Sequence, residues 1–140
     1  IIPQEPPMPD WKMLTDFKIT LDHKPGAIAS FAARLREADV TLLGLCGQVE
    51  SGPNALFHCI PERADQFRSF LRSTDIPHEE DSVLFVGGSN RGDAMISTLE
   101  KIASANVNLV GLDAVTIEGE FGYFVWAAAQ DWSRLRDTLS

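Results

Sequence analysis

The chain has 140 residues, 44% hydrophobic and 23% charged, with 12 basic against 20 acidic side chains and a net charge of −8. That composition supports one good core or two small ones, and without a surplus of Lys and Arg to neutralise phosphates it excludes a nucleic-acid surface. No apolar run approaches the ~20 residues needed to cross a bilayer, which leaves no membrane role, and two cysteines, Cys46 and Cys59, are too few to staple a secreted domain and fit a reducing, cytoplasmic setting.

Residues 1–10 hold Pro3, Pro6, Pro7 and Pro9, which remove backbone donors and favour extended geometry, so this stretch reads as a tail or linker. From Asp16, and from as early as Trp11, residues alternate: Trp11, Met13, Phe17, Ile19 and Leu21 share one side, Lys18 and Thr20 the other, as a half-buried strand requires. After Pro25-Gly26 the spacing of Ile28, Phe31, Ala32 and Leu35 predicts an amphipathic helix. Val40 to Val49 and Ala55 to Ile60 predict a hairpin about Ser51-Gly52-Pro53-Asn54, with Leu42 to Leu45 as core aliphatics. A helix over residues 62–73 follows Pro61 with Phe67, Phe70 and Leu71 on one stripe, and Ile76 to Asp81 reads as a short edge strand.

The order then recurs: strand Ser82 to Val86, a glycine-containing loop, helix Ala94 to Ala105, strand Asn108 to Ile117, a turn at Glu118-Gly119-Glu120, strand Phe121 to Ala128 and helix Ser133 to Leu139. Ala38 to Leu45 aligns with Ala105 to Leu112 at an offset of 67, and five of the eight positions agree. A strand-helix-strand-strand-helix order given twice implies an α+β chain of two tandem ferredoxin-like βαββαβ units, each an antiparallel sheet with helices on one face. The units are expected at 11–81 and 82–140, the second taking its missing closing strand from residues 11–14.

Pro25 sets the backbone ahead of a helix, and Gly26 has no side chain to keep a ligand off the chain. The N–H groups opening that helix, at its positive dipole end, suit a carboxylate, and Asp22 is the nearby acceptor for an ammonium group. The structural reading of the same residues is a strand-to-helix turn. In the second loop, Gly87 to Asp93, Asn90, Arg91 and Asp93 offer both signs of charge to a zwitterion; Asp93 equally suits a helix N-cap. This loop has no proline, and its spacing to Gly111 suggests growth by one residue relative to the first. Asn106 is expected to end its helix in a left-handed conformation, with Asn108 opening the next strand as a further amide for a ligand or as a solvated start.

Lys24-Pro25-Gly26-Ala27-Ile28 after a strand, leading to Ala38 to Leu45, resembles the ACT-domain family, and residues from Leu99-Glu100-Lys101-Ile102 through Leu112 repeat the likeness, which covers residues 17–140. The resemblance implies an amino-acid-binding regulatory module, a homodimer without cofactor or catalysis, and ligand pockets where Asp22, His23, Lys24, Pro25, Gly26, Ala27 and Ile28 of one unit meet the Asn106 to Gly111 region of the other. The family usually carries Asp or Asn two places before the proline; here His23 stands there and Asp22 one place further back.

Two other readings are weighed against this one. His23, Cys46, His58 and Cys59 are metal-ligating types, but His58 and Cys59 are adjacent on a strand and must face opposite ways, so no metal site is expected. The second functional class is an assembly module without ligand, using the aromatic strand Phe121, Tyr123, Phe124 and Trp126, whose second face is apolar enough to be an interface.

Overall fold

Phe17, Ile19 and Leu21 alternate along a strand long enough to reach back past Trp11, and in the computed structural model strand β1 runs Asp10–Asp22. Residues 10–49, 52–91 and 93–139 are described; the proline-rich stretch over residues 1–9 lies outside them, as do Ser51 of the expected turn and Gly92. The remaining elements are α1 Ala27–Glu37, β2 Leu42–Val49, β3 Asn54–Pro61, α2 Ala64–Ser73, β4 His78–Ser89, α3 Ala94–Ser104, β5 Leu109–Ile117, β6 Glu120–Ala127 and α4 Trp132–Leu139, with a 3₁₀ turn at Ala129–Asp131 before the last helix. The fold is α+β with antiparallel strands in the order β2-β3-β1-β4-β6-β5.

The chain divides into two units, one spanning Leu14–Ser82 and the other combining residues 10–13 with 83–139. In the first, Phe17, Ile19 and Cys59 of the sheet pack with Phe31 and Leu35 of α1 and Phe67, Phe70 and Leu71 of α2. Both helices therefore cover one face. In the second, Leu84 and Val86 of β4 and Phe121, Tyr123, Val125 and Ala127 of β6 meet Ala94 and Ile102 of α3 and Leu135 and Leu139 of α4, with Trp11 and Met13 packed alongside.

The repeat reaches finer detail than the sequence alignment. Helices α1 and α3 begin at Ala27 and Ala94, again 67 apart. Each follows a left-handed residue, Gly26 at φ 89° and Asp93 at φ 58°. The second loop has not grown by a residue; Asp93 holds the place of Gly26. Asp39 and Asn106, also 67 apart, both close their helices at φ 57°, a conformation that short polar side chains tolerate best after glycine. Both copies carry a bulge at matching positions, Leu42/Gly44 and Leu109/Gly111.

Three expectations are corrected. Residues 76–81 and 82–86 are not separate strands, because β4 continues through Gly87, Gly88 and Ser89, which pair with Gly122, Phe121 and Glu120 rather than forming a loop. Leu43 and Leu45 are exposed, not core, since β2 is a terminal strand: Leu43 falls in its bulge, and Leu45, opposite the core residue Cys59, lies at the open edge of the helix-bearing face. Ile28, expected on the buried stripe of α1, is 41% exposed, and the helix is anchored by Phe31 and Leu35 alone.

Burial also sets a pH response. Cys59 lies in the core, and burial, helped by the charges of Asp16 and Cys46, pushes its thiol from 9.0 up to about 12; burial likewise raises the Tyr123 hydroxyl from 10.0 to about 12. The unfolded chain releases these protons first, so stability present below about pH 9 is expected to fall as pH rises from about 9 toward 12. Urea midpoints measured across that range check this, and Cys59→Ala should remove the thiol's share of the slope.

Candidate functional site

Strand β1 ends at Asp22, and the chain bends at His23 and Lys24 and turns into α1. Proline and glycine shape this turn: Pro25 fixes the backbone two places before the first helical residue, Ala27, and Gly26 between them takes the left-handed conformation, its carbonyl accepting the first helical bond from Ser30 N–H at 2.9 Å. The amide of Lys24 donates to the Asp22 carbonyl at 3.0 Å, and that of His23 to Pro53 at 2.6 Å. A Cβ placed on Gly26 would meet nothing within 4 Å. The backbone here faces open space.

That space is a cavity of about 690 Å³ within the Leu14–Ser82 unit, bounded by Asp22, Lys24, Pro25, Gly26 and Ala27 on one side and by Thr74, Asp75, Ile76 and Pro77 on the other. Leu21, Phe31 and Ile76 give it apolar wall, and Thr20, Ser30 and Arg34 give it polar wall. Asp22 and Lys24 pair at 3.6 Å, both well exposed. The lining thus holds two acids and two bases around a helix N-terminus, an arrangement able to take a small molecule carrying both signs of charge.

Of the residues singled out in the sequence, Asp22, Lys24, Pro25, Gly26 and Ala27 line this cavity, whereas His23 and Ile28 do not. The contribution of Thr74 to Pro77 was missed. The repeat order contained the clue, since a helix antiparallel to α1 must end beside the turn that starts α1. Asp75 at φ 60° carries the sharp exit from α2.

The second copy is built differently. Asn90 Oδ1 accepts the Met95 N–H at 3.1 Å, so Asn90 caps α3. Asp93, the expected cap, makes no capping bond, because its left-handed backbone turns the carboxylate away from the helix amides. Asn108 lies just before β5, at the opposite end of that strand from Ile117 and the Gly119 carbonyl to which Asn90 N–H donates at 2.8 Å. A nine-residue strand spans on the order of 30 Å, so Asn108 does not join Asn90 and Asp93. Its backbone is committed locally: its N–H donates to Asp131 Oδ2 at 3.0 Å and its carbonyl accepts from Ala128 at 3.0 Å.

Among the described residues no group of three or more His, Cys, Asp or Glu side chains is placed to hold a metal, and no helix is long and apolar enough to cross a membrane. Strand alternation puts Cys59 in the core and turns His58 the other way, to Asp16. Trp126, expected at an interface, is only 7% exposed, packed where a Cβ on Gly111 would lie 3.1 Å from its ring.

No family model matches the sequence, and no curated protein matches it. Solved structures do match. A Bacteroides thetaiotaomicron protein shares 14% identity over 91% of this chain and 86% of its own, with a TM-score of 0.78. The ligand-free regulatory subunit of aspartate kinase from Thermus thermophilus shares 12% over 94% and 93%, with a TM-score of 0.65. Escherichia coli aspartokinase III, in complex with lysine and aspartate, shares 13% over 99% of this chain but 34% of its own, with a TM-score of 0.54. At such identities the likeness is one of fold.

Proposed function

We propose that this chain, which has the tandem ACT-domain fold, is a regulatory module that binds a free amino acid and passes the binding event to a partner, rather than an enzyme. The observation that carries this reading is the cavity at Asp22 to Ala27, where Gly26 leaves the backbone bare beside the start of α1. A carboxylate set against the first amides of α1 gains from the helix dipole and from N–H groups that have no partner within the helix. The ammonium group is taken by Asp22 or Asp75. Two solved structures of similar fold come from regulated aspartate kinases, one of them holding lysine and aspartate. The second copy, with Asp93 in the place of Gly26, lacks that bare approach, so one working site per chain is the reading adopted here.

A second reading rests on β5. It is a terminal strand, and Val110, Val115 and Ile117 are more than half exposed, with Asp113 the one charge along it. A long apolar edge of this kind is a template for pairing, and it suits self-association into a homodimer better than the buried Trp126 does.

One experiment separates the two. A ligand that binds only the folded chain raises its melting temperature, by the equivalent of about 2.7 kcal/mol at a hundred times its Kd. The twenty amino acids are each titrated in a thermal-shift assay, with Ser30→Trp as the blocked variant, because Ser30 lines the cavity on the exposed side of α1. A selective shift in the parent chain, lost in Ser30→Trp with the melting temperature otherwise kept, is the expected result. No shift with any amino acid at millimolar concentration, together with a dimer by light scattering that Ile117→Lys disperses, would leave the assembly reading in its place.

A further inference from the structure

We propose that Cys46, His58 and Asp16 form a thiol–imidazole–carboxylate row on the helix-free face of the Leu14–Ser82 unit, making Cys46 a modification site that exchanges with small disulfides. The row comes from three neighbouring strands. Cys46 of β2 stands directly opposite His58 of β3 in the antiparallel register, so the two side chains leave the sheet on the same face with Cβ atoms about 5 Å apart. On the other side of His58, its Nδ1 lies 2.7 Å from Oδ2 of Asp16 on β1. The Asp16 side chain is fully buried while that of His58 is 24% exposed, so across the three strands the imidazole stands between a buried carboxylate and the position of a partly exposed thiol.

The chemistry follows from these positions. With the Asp16 oxygen as acceptor, Nδ1–H donates to it, and Nε2 is the ring nitrogen that serves as base. The Cys46 proton passes to Nε2, and the thiolate beside imidazolium attacks one sulfur of a disulfide. The S–S bond of the reagent breaks, a mixed disulfide forms at Cys46, and the departing sulfur leaves as thiolate and takes up a proton as free thiol. The disulfide is the oxidant and Cys46 is what is oxidised. Other charged groups facing the row are Lys18, which pairs with His58 in register, and Asp81 of β4, 3.7 Å from Lys18. They offset one another.

Cys59 provides the internal control. It is one residue from His58 but faces the core, at 0% exposure, opposite Phe17 in register, and its raised thiol has neither thiolate character nor access. Two cysteines in one sheet therefore differ because alternation sends them to opposite faces.

The test is the rate at which the full chain takes up one glutathionyl group from oxidised glutathione, followed by intact mass across pH 5–9. Each pH unit by which a thiol's titration is lowered gives about tenfold more thiolate below it. Native chain is expected to react at Cys46 alone, about tenfold or more faster at pH 7 than the same chain unfolded in urea. The rate should be lost in Cys46→Ser, kept in Cys59→Ala, and brought down to the unfolded rate in His58→Gln and Asp16→Asn, with the pH midpoint moved up to that of an ordinary thiol. Should burial make Asp16→Asn unable to fold, His58→Gln decides the matter by itself. A native Cys46 no faster than the unfolded one, or a rate and pH profile unchanged in folded His58→Gln, overturns the proposal.

Discussion

Phe17→Ala is expected to cost about 3–5 kcal/mol of folding free energy. Phe17 is completely buried at the centre of its sheet. Its ring meets that of Phe67 edge-on at 5.0 Å and lies 5.7 Å from the His78 ring, and the Arg68 guanidinium stands 5.7 Å from its centroid. Removing it loses the transfer free energy of the side chain, an edge-to-face pair worth ~0.5–1.5 kcal/mol, and the contacts that hold α2 on the sheet. Neighbours on both strand and helix are fixed by their own packing, so the cavity cannot collapse. Urea unfolding should show a lower midpoint, and Phe17→Leu, which keeps most of the volume, should recover the larger part of the loss.

Asp131→Ala is expected to cost roughly 1.5–3 kcal/mol, the range for hydrogen bonds to a charged, buried group. Asp131 is 6% exposed in the 3₁₀ turn that leads into α4. Its Oδ2 accepts the Asn108 N–H at 3.0 Å, and its Oδ1 lies 3.5 Å from Arg134 Nη1, which also donates to the Asn106 carbonyl at 2.9 Å. One carboxylate thus ties the start of β5 to the start of α4. Alanine would leave the Asn108 amide without this acceptor, while Asp131→Asn keeps an oxygen there and loses only the charge. Thermal unfolding should rank the three as parent, Asn, Ala; equal loss in the two variants would assign the whole effect to the Arg134 pair.

The cavity sits between a turn shaped by Pro25 and Gly26 and the exit from α2, at the end of β1. An occupant that bridges the two sides favours whichever arrangement of them it contacts better, and differential contact of this kind is all a regulatory ligand needs.

How much of this was written in the sequence depends on range. Alternation along β1, the stripe of Phe67, Phe70 and Leu71 on α2, and the 67-residue repeat are local or periodic, so they were legible and led to the α+β tandem fold. Pro25-Gly26 marked one side of the cavity for the same reason, because a glycine ahead of a helix states its backbone need directly. Long-range pairing decided the rest. That β4 is one continuous strand depends on β6 offering partners through Glu120, that Leu43 and Val110 face outward depends on bulges in terminal strands, and that Thr74 to Pro77 close the cavity depends on where α2 ends. The row of Asp16, His58 and Cys46 shows the division most clearly. Alternation told from the sequence that His58 and Cys59 point apart, but residues 42 and 12 places apart become neighbours only when antiparallel registers are set by hydrogen bonding and core packing, and no local pattern records a register.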